Sequence, residues 1–175
     1  MIRFSISVFM VIFLVLQGMA MSLLPAKIVY SELLVTPHWV LCLIMIIAIF
    51  FDKDDMYHSV WYGLLFGLLI DVVYTGVLGV YMVTYAMTAY VIHGMQKWFH
   101  ANFIASVLLA VFGVAIADML LYVIYSFVQV TAMDWGDYTT LRLLPTVLAN
   151  AVFFVLLYPL FKNRVEQWSD RWQSA

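Results

Sequence analysis

Six apolar stretches, separated by short polar breaks, cover almost the whole sequence of 175 residues. One membrane crossing needs about 20 apolar residues, because about 30 Å of hydrocarbon is spanned at about 1.5 Å per residue. Only 10% of the residues are charged and the mean hydropathy is +1.03, so the chain lacks the polar surface of a soluble domain. The sequence predicts an all-α integral membrane protein, a bundle of six transmembrane helices over residues 4–24, 37–51, 57–75, 79–98, 103–129 and 142–161.

Lysine and arginine side chains indicate how these spans are oriented. The side that faces the cytoplasm usually carries the excess of these residues in its short loops. With a cytoplasmic N-terminus, two basic residues, Lys27 and Arg142, fall outside. The remaining six fall inside, which predicts that both termini are cytoplasmic: Arg3, Lys53, Lys97, Lys162, Arg164 and Arg171. The net charge of −2 and the lack of a basic run give no indication of a nucleic-acid partner.

The domain prediction is a single membrane domain over residues 1–161, followed by a cytoplasmic tail over residues 162–175. The first stretch resembles a signal sequence, but its apolar run is too long and its cleavage pattern poor, so we expect a retained span. In the tail, Trp168 and Trp172 share one helical face with Val165. This pattern fits either a short amphipathic helix on the membrane surface or a loose tail anchored by tryptophan.

Four polar residues are predicted to lie in the outer half of the membrane. At 1.5 Å per residue, Asp71 and Asp118 reach nearly the same depth, and Asn150 lies about 12 Å below Arg142. An isolated carboxylate in hydrocarbon costs at least about 2.5 kcal/mol, so we expect both aspartates to face the interior, with Arg142 as their partner. Three roles are open: a buried polar network that fixes helix register, a site for a partner or ligand, and proton or ion translocation.

Glycines accompany the first of these aspartates. Gly63, Gly67 and Asp71 are spaced by four residues and share one helical face, and the first two have the spacing that lets helix backbones approach closely. Gly76 and Gly79 bracket a very short uncharged turn between the third and fourth spans. This pattern predicts a tightly packed hairpin of two helices.

Motifs for catalysis or metal binding are not found in the sequence. No nucleophile elbow, phosphate loop or HExxH pattern is present, so we expect neither an enzyme nor a bound cofactor. Asp54 or Asp55 is expected to cap the following helix rather than to bind a cation. The histidines fall near span ends without zinc-ligand spacing, and we expect them to be solvated at the interface: His38, His58, His93 and His100.

The segment GLLFGLLID, followed by the glycine turn, resembles a known family. Gly67, Asp71 and Gly79 match the glycine, aspartate and glycine pattern of MreD, the rod-shape-determining membrane proteins of bacteria. The resemblance also covers the length and span layout of the chain. It implies a non-enzymatic scaffold subunit of the cell-elongation (rod) complex in the bacterial inner membrane. The implied partners are MreC, RodA, a transpeptidase and the actin-like MreB, which act together in lateral peptidoglycan synthesis.

The same resemblance suggests a rival hypothesis. MreD-like chains resemble the six-helix substrate-binding subunits of energy-coupling-factor vitamin transporters in fold. On this hypothesis the polar cluster of the outer half would be a vitamin pocket, and Trp135 with Tyr138 would form its lid. A bound vitamin at unit stoichiometry would favour transport, whereas retention of MreC without a small ligand would favour the scaffold.

Overall fold

The computed structural model describes residues 2–20, 33–53, 56–99 and 102–173, and this part of the chain contains helices and no β-strand. Two π-helical stretches accompany the helices: Asp71–Thr75 continues the third helix, and Tyr138–Leu143 leads from the single turn Trp135–Asp137 into the last. The principal helices are α1 Ile2–Gly18, α2 Trp39–Phe50, α3 His58–Ile70, α4 Val80–Gln96, α5 Phe103–Phe127 and α6 Leu144–Gln173.

Three helical segments are long and apolar enough to cross a membrane. They are α3 with its π-helical end, α5, and α6 with the turns that precede it. The helices α1 and α2 are apolar but shorter. The α5 helix, at 25 residues, is about 37 Å long and exceeds the hydrocarbon thickness, which fits a tilt or a projecting end.

The central element of the bundle is α2. It contacts all five other helices, and every residue from Val40 to Phe50 is buried. With 12 residues it is only about 18 Å long, which is too short to span a bilayer alone. A helix that is apolar on every side must be enclosed by protein or lipid, and here the other helices enclose it. The core of the bundle is therefore built around α2.

The chain reaches α2 through an extended segment at residues 33–38 rather than through a helix. Its polar groups are bonded to the last helical region: the Leu34 amide donates to the Leu141 carbonyl at 2.8 Å, and the Thr36 amide donates to Thr146 Oγ1 at 3.0 Å. Irregular backbone is tolerated within a membrane protein where other protein groups satisfy it. The predicted second span, 37–51, is thus an extended entry followed by a short buried helix.

The α3–α4 hairpin is the most closely packed pair of helices. A Cβ atom on Gly67 would lie 2.6 Å from Met82 Cα, and one on Gly63 would lie 2.9 Å from the Tyr85 carbonyl oxygen, so larger residues would separate the backbones. Gly76 and Gly79 have φ values of +71° and +95°, in the left-handed region that favours glycine. These two residues make the tight turn that joins the helices.

The last helix continues through the predicted domain boundary at residue 161 without a break. Beyond it, Val165 and Ser169 are buried, and Ser169 Oγ donates to the Phe51 carbonyl at 2.9 Å. Trp168 is partly buried against the core, while the side chain of Trp172 lies outside the described side chains. Residues 162–171 therefore pack on the bundle as part of α6, and the cytoplasmic location of residues 162–175 stays a prediction.

Candidate functional site

Asp118 is the centre of a buried polar cluster at the end of the bundle where α6 begins. Its side chain is fully buried on α5. Its Oδ1 atom accepts hydrogen bonds from Nε and Nη2 of Arg142, each at 3.3 Å, and its Oδ2 atom accepts one from the Tyr138 hydroxyl at 2.9 Å. The Nε2 atom of His38 lies 3.5 Å from Oδ1. Both oxygens of the carboxylate are thus bonded to protein groups, as a buried charge requires.

His38 was expected at the interface, and that expectation is wrong. Its side chain is fully buried, because the extended entry segment carries it into the bundle. There Nδ1 lies 2.9 Å from the Tyr85 hydroxyl while Nε2 faces Asp118. His93 is also buried, with 1% exposure, and its ring lies 4.9 Å from that of Tyr57. His100 lies outside the described residues.

Asn150 anchors the backbone of the extended segment. Its Oδ1 atom accepts the His38 amide at 2.7 Å, and its Nδ2 group donates to the carbonyls of Thr36 and Thr146, both at 2.8 Å. One amide side chain thereby satisfies two backbone groups of a segment that has no helical partners of its own. Through His38, Asn150 is joined to the Asp118 cluster.

Asp71 bonds backbone amides of the following helix. Its buried carboxylate accepts the backbone amides of Gly79, Tyr81 and Met82 at 2.9, 2.9 and 3.1 Å. It therefore caps the start of α4, where helical amides have no partner within the helix. In the structure Arg142 bonds Asp118 and no hydrogen bond joins it to Asp71, so the expectation that one arginine partners both aspartates is corrected.

Aromatic rings fill the space around and between the two aspartates. The Tyr81 ring lies 5.5 Å from that of Tyr85 and 6.4 Å from that of His38, while the Tyr81 amide is bonded to Asp71. Tyr138 stacks on Tyr122 with ring centroids 3.9 Å apart. Such packing excludes water and strengthens the polar contacts that it encloses.

A third buried carboxylate, Asp52, lies in the turn between α2 and α3 at the opposite end of the bundle. Its oxygens accept the amides of His58 at 3.0 Å and Ser59 at 2.8 Å, so Asp52 caps α3. Burial raises the pKa of Asp52, while these bonds oppose the shift. Asp54 and Asp55, from which a capping residue was expected, lie outside the described residues.

Within the described ranges, no group of three or more histidine, cysteine or acidic residues could hold a metal ion. Cys42 is buried in α2, and its Sγ atom lies 3.8 Å from the Asn150 carbonyl oxygen. The polar cluster consists of the hydrogen-bonded carboxylate and the four side chains around it: Asp118, Arg142, His38, Tyr85 and Tyr138. Its groups are bonded to one another.

Comparison with known proteins decides the family. The family model described as rod shape-determining protein MreD matches residues 2–165. The chain belongs to the MreD family. It is also 27% identical over 162 residues to the rod shape-determining protein MreD of Bacillus subtilis (strain 168), covering 91% of this chain and 92% of that protein. No solved structure shows a significant match.

Membership of the MreD family confirms the resemblance drawn from residues 63–79 and assigns the chain to rod shape determination. MreD is a family of membrane proteins, in agreement with the three apolar helices long enough to cross a bilayer. The structure shows what the glycines and the aspartate of residues 63–79 do. Gly67 allows α3 and α4 to touch, Asp71 caps α4, and Gly79 adopts the left-handed turn between them.

Proposed function

We propose that this protein is a non-enzymatic membrane scaffold of the cell-elongation complex, which binds MreC and helps to organise lateral peptidoglycan synthesis with RodA, a transpeptidase and MreB. The observation that carries the proposal, beside family membership, is the closure of the polar cluster. Asp118 is fully buried with both oxygens bonded to protein groups. A carboxylate used in this way joins α5 to the segments packed against it, and both of its oxygens are occupied by protein groups rather than open to a substrate.

The proposed arrangement is six spans in the bacterial inner membrane with both termini in the cytoplasm, in a fold like that of energy-coupling-factor substrate-binding subunits. Charge distribution supports the orientation. Arg142 lies at the end of the bundle that holds Asp118, where its charge is paired. Lys53 and Asp170 form an exposed pair at 2.9 Å at the opposite end, which also carries Lys97 and Lys162. The basic end would face the cytoplasm.

The surface available to a membrane partner is the outer face of the helices. The connection between α3 and α4 is short, while large apolar side chains are exposed on α1, α5 and α6, among them Val15, Leu108 and Leu148 at 52, 60 and 66% exposure. A single transmembrane helix of MreC would bind such a face through van der Waals packing, since lipid and side chain are equally apolar.

Cross-linking in cells tests this proposal. A photo-reactive residue is placed at one exposed position on each outer helix, and MreC is probed in the cross-linked products. The expected result is cross-linking from one or two neighbouring helices, together with loss of rod shape when the protein is depleted. A position on the enclosed helix α2, such as Ile46 with 0% exposure, serves as the matched control and should give no product. The exposed positions that receive the photo-reactive residue are Val15, Leu65, Met87, Leu108 and Leu148.

Two results would contradict the scaffold. One is the absence of MreC from every cross-linked product while the protein is present at its normal level. The other is normal cell shape after depletion in a rod-shaped host.

One observation favours the alternative, a substrate-binding subunit of a vitamin-type transporter. The non-helical segment at residues 33–38 leads from the exposed Leu34 to the buried His38, next to polar side chains, and non-helical backbone beside polar groups forms the binding sites of many transporters. The proposed lid residue Tyr138, however, is buried and bonded to Asp118. Native mass spectrometry of the purified chain separates the two functions, since transport requires a vitamin bound at unit stoichiometry.

A further inference from the structure

A hollow of about 330 Å³ lies on the surface of α4 near its last turn, at the basic end of the bundle. Gly94 forms its floor, because a Cβ atom built there would meet no atom within 4 Å. Four larger side chains surround it: Tyr57, Tyr90, Lys97 and Trp98. The absence of a side chain at one position thus creates a recess among aromatic and basic groups.

The chemistry of the rim suits a phosphate group attached to an apolar tail. Lys97 supplies an ammonium group, the indole of Trp98 supplies an N–H donor, and buried His93 lines one side. Among the described residues that line the hollow, none is acidic. The C-terminal end of α4 carries a partial negative charge, which disfavours an anion. This charge is reduced, because the Met95 and Gln96 carbonyls accept the Trp98 and Phe99 amides at 3.0 and 3.2 Å.

The position of the hollow suits a lipid rather than a dissolved ion. Trp98, just beyond the end of α4, is 87% exposed, and Tyr90, about two turns earlier, is 60% exposed. Exposed tryptophan and tyrosine at a helix end mark the membrane–water interface. The Tyr57 and Tyr90 rings stack with centroids 6.1 Å apart and form an apolar wall beside which an acyl chain could continue into the bilayer.

We propose that the hollow over Gly94 binds the phosphate headgroup of an anionic membrane lipid, held by Lys97 and Trp98. The site lies at the end of the bundle opposite Asp118, and it is independent of the proposed scaffold function. Basic recesses on the cytoplasmic side of membrane helices are known to bind anionic headgroups.

Binding is measured by native mass spectrometry of the purified full-length chain in detergent, with phosphatidylglycerol as the probe. Phosphatidylcholine and inorganic phosphate are the comparison ligands. Lys97→Gln removes the ammonium group and should weaken phosphatidylglycerol binding about fivefold. Gly94→Leu leaves every charge in place but fills the hollow, and it should weaken binding at least as much.

The matched control is Lys162→Gln, which removes the same charge at the same end of the bundle. Lys162 lies over the Phe50 and Tyr158 rings, at 5.7 and 5.6 Å from their centroids, and does not line the hollow. This variant should bind phosphatidylglycerol like the wild type. Because leucine favours helix more than glycine does, Gly94→Leu should also raise the thermal unfolding temperature, which separates lost binding from lost folding.

Three results would overturn the proposal. The first is an equal loss of binding in Lys97→Gln and Lys162→Gln, which would indicate general surface electrostatics. The second is unchanged lipid binding in Gly94→Leu. The third is equal affinity for inorganic phosphate or for phosphatidylcholine, which would show that the site does not select an anionic lipid.

Discussion

Replacing Arg142 by glutamine removes the charge that faces the buried carboxylate of Asp118. Breaking a buried ion pair by removing one partner costs about 3–5 kcal/mol. The Arg142 side chain is 24% exposed while Asp118 is fully buried, so water screens part of the interaction. We therefore expect Arg142→Gln to lower the free energy of unfolding by about 2–3 kcal/mol.

A double-mutant cycle isolates the interaction between the two side chains. Asp118→Asn keeps the shape of the side chain but replaces a charge-assisted bond by a neutral one, which should cost about 1–3 kcal/mol. Since both variants disrupt the same contact, the double variant should lose less than the sum, with a coupling energy of about 1–2 kcal/mol. Unfolding by sodium dodecyl sulfate in mixed micelles, followed by fluorescence of the six tryptophans, gives the free energies.

The control for this cycle is the exposed pair at the other end of the bundle. Lys53 and Asp170 lie 2.9 Å apart with side chains 44% and 70% exposed. Lys53→Gln should therefore cost no more than about 1 kcal/mol. An additive cycle, or an Arg142→Gln variant as stable as Lys53→Gln, would refute the reasoning that the buried pair holds this end of the bundle together.

Three further predictions follow from the packing and capping contacts. Gly67→Ala should lower the free energy of unfolding by about 1–3 kcal/mol, because the added Cβ atom would lie 2.6 Å from Met82 Cα. The control Gly94→Ala, where a Cβ atom meets open space, should leave the free energy of unfolding unchanged. Equal stability of the two variants in the same denaturation assay would contradict this. Asp71→Ala should cost about 1–2 kcal/mol and speed amide exchange at Gly79, Tyr81 and Met82, which lose their acceptor; unchanged exchange there would contradict the cap. Burial raises the pKa of Asp52 in the folded protein. The contribution of Asp52 to the free energy of unfolding should therefore be fully present below the ordinary pKa of an aspartate, and it should be lost as the pH rises through the pKa of Asp52 in the folded protein. In denaturation experiments across a pH series, the free energy of unfolding should change less with pH in Asp52→Asn than in the wild type. An identical pH dependence in the two proteins would contradict a raised pKa for Asp52.

Much of the architecture follows from hydropathy and from the rise per residue. These two rules predicted the helical segments and placed Asp118 and Arg142 in the same half of the membrane, and the structure brings their side chains to 3.3 Å. The glycine spacing likewise predicted the close α3–α4 pair. Depth alone, however, does not determine which of two aspartates an arginine contacts. The orientation of Asp71 depends on the left-handed turn at Gly76 and Gly79, which returns the α4 amides to that carboxylate.

The burial of His38 and the central position of α2 could not be predicted from average hydropathy. A hydropathy profile measures how apolar a segment is, not whether lipid or protein surrounds it. One signal was present: residues 39–51 contain no polar side chain, and between His38 and Asp52 the run is shorter than a full span. A short, uniformly apolar run is typical of an enclosed core helix.

Hydrogen exchange at the extended segment tests most directly whether the polar cluster holds the entry to α2 inside the bundle. The amides of Leu34, Thr36 and His38 are bonded to Leu141, Thr146 and Asn150, respectively. In lipid nanodiscs they should exchange as slowly as the amides of α2, and Asn150→Ala should accelerate exchange at His38. Exchange of all three amides at the rate of an exposed loop would contradict the account.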